Sequence, residues 1–187
     1  MIKAGAISKG MCLLMKDEPY LVVEREFVNP GKGSAFVRLR LKGLRNGKGL
    51  QETMKTNDSV EEADVYERDA QFLFADAQSY HFMDSESFEQ FEVDAEGLEN
   101  KRLFMKETET YKLIMWEGTA IDIELPTKVV YTVVDAPDAI KGDTVTGATK
   151  MVKLETGLEV KVPIFIKQGE RVLVNTESGD YVERVNS

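Results

Sequence analysis

Residues 21–42 read LVVEREFV-NPGKGS-AFVRLRLK. The first eight residues are rich in β-branched and aromatic types. The last eight alternate apolar and basic, Phe36 and Val37 leading into Arg38-Leu39-Arg40-Leu41-Lys42. Alternation of this kind is the period of a strand with one buried face. Between the two runs lies Asn29-Pro30-Gly31-Lys32-Gly33-Ser34. Pro30 sets its own φ, and Gly31 and Gly33 permit φ > 0, so the chain can reverse here. The stretch therefore predicts an antiparallel hairpin with one long cationic side chain, Lys32, at its tip. It is not a phosphate-binding P-loop, which has a longer glycine spacing and a following helix, whereas here a strand follows. A plain turn with a solvated lysine would carry the same residues.

Outward from this hairpin the pattern persists. Tyr20–Glu24, Ala35–Lys42, Tyr80–Asp84 and Lys112–Trp116 read as strands, punctuated by Gly, Asn and Asp. This is the texture of small barrels and sandwiches, so an all-β fold is expected. Arg45-Asn46-Gly47-Lys48 suggests a second hairpin, because Asn-Gly accepts the positive φ of a type I′ turn. Only AEGLENKRLFMK at 95–106 reads as a short helix. No serine- or proline-rich linker interrupts the chain, so its domains are expected to be packed closely or joined tightly.

Charge divides the chain unevenly. With soft boundaries near Asp64 and Lys128, residues 1–64 hold 11 Lys/Arg against 9 Asp/Glu, a balance of +2. Residues 65–128 hold 6 against 15 (−9), and residues 129–187 hold 7 against 9 (−2). Phe27 to Gln51 contains no acid, yet it carries Lys32, Arg38, Arg40, Lys42, Arg45 and Lys48. Such a stretch places positive potential at one end of an acidic protein. Arg38, Arg40 and Lys42 share one face of their strand. Two readings stand: a face that contacts RNA phosphates, and a solvated outer face whose opposite side packs inward. A weak repeat supports the division. IDIELPTKV at 121–129 and LEVKVPIFI at 158–166 align at an offset of 37, with Pro126 over Pro163. The second and third parts are thus expected to share a fold, although alternation alone would align any two amphipathic strands.

Several function classes are disfavoured. The 187 residues, net charge −9, carry no apolar window near the ~18 residues that a spanning helix needs, and the first residues show no secretory signal. No membrane contact is expected. Cys12 is the single cysteine, which excludes an internal disulfide and suits a reducing cytoplasm. With one His, His81, no Cys/His zinc set can be assembled. No cofactor and no metal are expected. The acids Asp84, Glu86, Glu89, Glu92, Asp94 and Glu96 lack the spacing of a calcium loop and read as a solvated face. Cys12 reads as a small buried apolar residue, His81 as structural, and Trp116 as a core cap that could also stack a base.

Six blocks together resemble bacterial elongation factor P. They are NPGKGSAFVRLRLK, SYHFMDSESFEQ, IDIELPTKV, AIKGDTVTGATK, LETGLEVKVPIFIKQGE and SGDYVERV, in the family's order and covering nearly the whole chain. The resemblance implies an SH3-like (KOW-like) domain at 1–64, an acidic OB-fold domain at 65–128 and a C-terminal OB-fold domain at 129–187, in an L-shaped, tRNA-like outline. It implies a cytoplasmic, monomeric factor that binds both ribosomal subunits between the peptidyl- and exit-tRNA sites and relieves stalling at consecutive prolines. Lys32 matches the family's tip residue, which a lysine-modifying enzyme lengthens in many members with β-lysyl, aminopentanol or hypusine groups, while others carry none. Asn29, Pro30, Gly31, Gly33 and Ser34 match the turn around it. Gly142, Asp143 and Thr144 match a third-domain loop that approaches the exit-site mRNA codon. The chain departs from the pattern at Met151-Val152, where Pro-Ala is usual after Lys150, and at Ser34.

The implied mechanism needs no proton transfer by this protein. Proline is a poor nucleophile, and a cation at Lys32 could hold the peptidyl-tRNA end in a reactive pose while Arg38, Arg40 and Lys42 grip phosphates behind it. An enzyme is not expected. The alternative is a generic OB-fold RNA-binding module without a ribosomal role, in which aromatics such as Trp116 would dominate over Lys32.

Overall fold

The computed structural model describes residues 1–138 and 147–186. Strands form three separate antiparallel sheets, each wrapped round its own apolar core. The first sheet contains β1 (Ile2–Lys3), β2 (Cys12–Met15), β3 (Glu18–Val28), β4 (Phe36–Gly43), β5 (Gly49–Lys55) and β6 (Ser59–Glu62), in the order β1-β6-β2-β3-β4-β5. Its core is Ile7, Leu13, Val22, Val37, Leu39, Leu41 and Val60. The alternation of β4 appears directly, with Val37, Leu39 and Leu41 buried and Arg38, Arg40 and Lys42 exposed. At ~1.5–3 kcal/mol for each fully buried Val or Leu, this inward row gives the arm its anchorage.

The second sheet contains β7 (Val65–Ala75), β8 (Ser79–Met83), β9 (Gln90–Asp94), β10 (Thr110–Trp116) and β11 (Thr119–Glu124), in the order β11-β10-β7-β8-β9. The third contains β12 (Lys128–Asp135), β13 (Thr149–Leu154), β14 (Glu159–Pro163), β15 (Arg171–Asn175) and β16 (Tyr181–Val185), in the order β14-β13-β12-β15-β16. Counted within each unit, both orders are 3-2-1-4-5. The third and fifth strands also approach each other, β9 with β11 and β14 with β16. This is the five-stranded, partly open Greek-key path of an OB barrel. The shared fold is therefore present, but the 37-residue repeat does not superpose equivalent strands. Residues 121–124 lie in the fifth strand of one unit and 159–163 in the third strand of the next. Amphipathic alternation matched them, as it matches any two half-buried strands.

One turn differs from expectation. The Asn46-Gly47 loop does join two strands, but only Gly47 has positive φ (+65°), and Gly47 N–H donates to Gly43 O at 2.9 Å. That bond closes a wider turn than type I′. Paired positive φ values occur instead at Lys16-Asp17 (55°, 61°) and Glu117-Gly118 (50°, 77°), each the two-residue link of a hairpin. At Lys16-Asp17 sheet twist imposes the I′ shape without a glycine to permit it.

The expected helix shrinks to α1 (Glu99–Arg102). Gly97 at φ +81° precedes it, and Leu98 at its N-terminus makes no side-chain cap. Beyond it the chain is claimed by two cores. Met105 is buried in the second core, while Phe104 packs against the third. Tyr131 OH donates to Phe104 O at 2.6 Å, and Thr156 Oγ1 donates to Leu103 O at 2.5 Å. Lys106 Nζ donates to Val130 O at 3.2 Å and lies 3.5 Å from Glu155. Tertiary packing of both faces of this segment overrides its helical propensity.

Candidate functional site

The register of β3 against β4 places the tip. Val28 faces Phe36, Glu26 faces Arg38 and Glu24 faces Arg40. Each of these pairs is equidistant in sequence from residue 32, so Lys32 is the apex of the arm. Asn29, Gly31, Lys32, Gly33 and Ser34 are exposed, and Pro30 is half-buried. Gly33 has φ +105°, a conformation that L side chains rarely adopt, whereas Gly31 does not take positive φ. A Cβ built on either glycine would have nothing within 4 Å. The glycines thus supply backbone shape and open space, not a packing contact. A lysine in that space has three donors and no acceptor, and its flexible stem can extend away from the fold.

Below the tip, the arm is less basic than its own strand. Arg40 Nη1 donates to Glu24 Oε2 at 2.7 Å, and Arg38 Nη1 lies 3.4 Å from Glu26 Oε2. Arg45 lies 3.3 Å from Glu18. All three carboxylates come from β3, immediately before the acid-free stretch. The expected cationic strip therefore resolves into two kinds of residue. Its arginines are paired, whereas Lys32, Lys42 and Lys48 have no ion-pair partner among the described residues. Lys55 joins them on the same outer face, because β5 sets it beside Phe36. Linear reading missed Glu24, Glu26 and Lys55, although the mirrored charges Glu24/Arg40 and Glu26/Arg38 about Lys32 were visible once a hairpin was drawn.

The inner face of the arm is held differently. A bulge at Val23 shifts the register between Val22 and Glu24. Arg25 then donates from Nη2 to Gly5 O at 3.1 Å, and its guanidinium lies 5.8 Å from the centroid of the half-exposed Phe27 ring. The bulge bends the arm, and this contact ties its base to the barrel.

The remaining candidates are structural in their contacts. His81 Nε2 lies 2.7 Å from Asp76 Oδ2, and its ring stacks on Phe74 with centroids 4.3 Å apart. Asp76 also accepts from Gln78 N–H and Ser79 N–H, at 2.8 and 2.9 Å. Those backbone donors, Gln78 foremost, with His81, lower its carboxyl to about pKa 2. Asp84 is lowered likewise, by Ser87 and Glu86 N–H and by Arg68 at 3.0 Å. Arg68 spans Asp84 and Glu89 and lies over the Phe91 ring, so this part of the acidic cluster is bound into the barrel surface. Among the described residues no group of three His, Cys, Asp or Glu is placed to hold a metal ion. Cys12 is half-buried, and burial raises its thiol pKa. Trp116 is half-buried at the end of β10, across from Val65 and Thr119. Gly142, Asp143 and Thr144 lie outside the described residues. No helix among the described residues is long and apolar enough to cross a membrane.

Comparison with known proteins accounts for all three sheets. The elongation factor P KOW-like domain matches residues 3–60, the elongation factor P OB domain matches 65–123, and the elongation factor P C-terminal model matches 129–184. The chain is 52% identical over 187 residues to elongation factor P of Treponema denticola, covering 100% of both chains. It is 51% identical over 186 residues to that of Treponema pallidum, again covering 100% of both. It is 50% identical over 187 residues to that of Borrelia duttonii, covering 98% of this chain and 97% of the relative. Among solved structures, translation initiation factor 5A from Methanococcus jannaschii shares the fold over 66% of this chain and 90% of its own, with a TM-score of 0.55 at 22% identity. Half of all positions are shared with full-length relatives and every sheet coincides, to within two residues at each end, with a matching domain model, so this chain belongs to the elongation factor P family and is a translation elongation factor, not an enzyme.

Proposed function

We propose that the protein binds the ribosome between the peptidyl- and exit-tRNA sites and promotes peptide-bond formation at consecutive prolines by positioning the peptidyl-tRNA through Lys32. The observation that carries this reading is the apex itself. An exposed lysine without an ion-pair partner among the described residues ends an eleven-residue strand and its partner, with open space on both sides. Such a group can enter a narrow site and donate hydrogen bonds to the backbone or hydroxyls of a tRNA acceptor end. It need not exchange a proton. Each ~1.4 kcal/mol removed from the barrier is tenfold in rate, and alignment of reactants can supply several times that. Behind the tip, the face of β4 that carries Arg38, Arg40 and Lys42 turns toward RNA phosphates.

In this reading the units are 1–64, 65–128 and 129–187, and the protein acts as a cytoplasmic monomer on both ribosomal subunits. Gly142, Asp143 and Thr144 approach the exit-site codon. A lysine-modifying enzyme acts on Lys32, whose exposure leaves it accessible. The balance of −9 over residues 65–128 limits nonspecific RNA binding.

The test is reconstituted translation of a reporter with consecutive prolines, using protein purified from its own host, beside a reporter without them. Wild type accelerates only the proline reporter, and Lys32→Ala does not. An unmodified rate with wild type, on ribosomes that respond to another elongation factor P, overturns the reading and favours a generic RNA-binding module. Mass spectrometry of the Lys32 peptide identifies any added group.

A further inference from the structure

The arm carries a pairing that its role as an RNA-facing element does not require. The outer face bears four cations, Arg38, Arg40, Lys42 and Lys55, with Lys32 at the apex. Among the paired residues of β3, β4 and β5 this face bears two acids, Glu24 and Glu26, since β5 contributes Gln51 and Thr53 to the same rows while Glu52 sits with Leu39 on the opposite face. Both acids are spent on arginines, at 2.7 Å for Glu24–Arg40 and 3.4 Å for Glu26–Arg38. Among the described residues neither Lys42 nor Lys55 makes an ion pair, the nearby Asp58 carboxylate accepting instead from the Lys55 backbone N–H at 2.8 Å. Arginine is the better bidentate ligand for phosphate, and it is the arginines that are occupied.

Exposed pairs of this kind add little to stability. The four side chains are 57–64% exposed, so water screens both pairs. Their effect on RNA is larger. A guanidinium that already neutralises a carboxylate releases few counterions on meeting a phosphate, and the carboxylate repels that phosphate. We propose that Glu24 and Glu26 are specificity-determining residues that hold Arg40 and Arg38, so that the arm offers RNA of arbitrary sequence and shape only Lys32, Lys42 and Lys55. The inference rests on the reading of the arm as RNA-facing. It adds that the arm is built to bind indiscriminate RNA weakly, leaving recognition to the apex.

The experiment measures the affinity of the full chain for a short RNA hairpin of arbitrary sequence, as a function of salt. The variants are E24Q/E26Q and, as a control with the same change in net charge on a distant strand, E61Q/E62Q. Glu61 and Glu62 lie in β6, beside β2 and away from the arm. E24Q/E26Q is expected to bind roughly tenfold more tightly at moderate salt, with the slope of log K against log salt steeper by about 1–2, as two freed arginines at ~0.9 per duplex phosphate require. E61Q/E62Q is expected to gain much less. An unchanged slope for E24Q/E26Q overturns the proposal, and so does an equal gain in both variants, which would make the effect one of global charge. Thermal midpoints of both variants are compared with wild type so that an unfolded variant is not scored. The hairpin measurement does not use the ribosome, so it fails or succeeds independently of the proline reporter.

Discussion

Glu24 and Arg40 meet at 2.7 Å across β3 and β4, each eight residues from Lys32 along the chain. That symmetry explains why the apex falls on Lys32 and not on a neighbour. It also means that changes at the tip and changes along the arm should separate in experiment.

At the tip, Lys32→Ala removes an exposed side chain without ion pairs among the described residues. Stability should move by no more than about 0.5 kcal/mol, as for other surface positions. Stimulation of the proline reporter should fall to background. Chemical denaturation and the reporter assay, run on one preparation, check both halves.

The two tip glycines should not be equivalent. Gly33→Ala forces a Cβ into φ +105° and should cost about 1–2 kcal/mol locally or reshape the loop. Gly31→Ala meets neither positive φ nor a neighbour within 4 Å, so it should be neutral or slightly stabilising. Reporter stimulation should drop for the first variant and persist for the second.

The segment Leu103–Lys106 joins the second and third barrels, and its loss should loosen them. Phe104→Ala takes a half-buried ring from the third core, for which about 2–3 kcal/mol is expected, below the range for a fully buried Phe. Tyr131→Phe leaves Phe104 O without its 2.6 Å donor, at about 1–2 kcal/mol. Denaturation curves of both variants test this. Limited proteolysis of Phe104→Ala should show faster cleavage near residues 124–128, between β11 and β12.

Acid should destabilise the second barrel over a defined window. Asp76 and Asp84 are held at about pKa 2 in the folded protein, below the ordinary carboxylate range. A depressed folded pKa contributes stability that is present above the unfolded value, near 4, and is lost as pH falls toward 2. The thermal midpoint should therefore fall between about pH 5 and pH 2. Asp84→Asn should start lower at neutral pH and fall less steeply, and calorimetry across that range would reveal a parallel, unshifted profile if the linkage were absent.

Replacing Lys16-Asp17 by Asn-Gly should stabilise the first barrel by roughly 0.5–1 kcal/mol. Both residues have positive φ, 55° and 61°, in a two-residue hairpin link. Asn and Gly adopt that conformation at lower cost than Lys and Asp. A rise in denaturation midpoint with unchanged slope checks it.

Much of this protein was legible in one dimension. Alternation in residues 35–42 predicts a strand with Arg38, Arg40 and Lys42 on one face, and β4 is that strand, because strand periodicity depends only on each residue's own neighbours. The reversal at Asn29–Ser34 was legible for the same reason, since Pro30, Gly31 and Gly33 act through local backbone limits. Asn46-Gly47 misled because a local preference permits a turn type without requiring it, while the twist of paired strands imposed the I′ form on Lys16-Asp17. The 95–106 helix was overestimated because Phe104 and Met105 serve different cores, and nothing local says so.

The sequence by itself determined an all-β chain, the lysine at the hairpin tip and, through six ordered blocks, the family. These depend on spacing and residue type, which a linear string carries in full. Only the tertiary structure decided which charges meet. Glu24 and Glu26 precede the acid-free stretch in sequence but lie against Arg40 and Arg38 in space, because antiparallel pairing brings together residues equidistant from the turn. A run of basic residues is a property of the chain; a basic surface depends on what the neighbouring strand places beside it, and here that strand leaves the lysines uncompensated and neutralises the arginines.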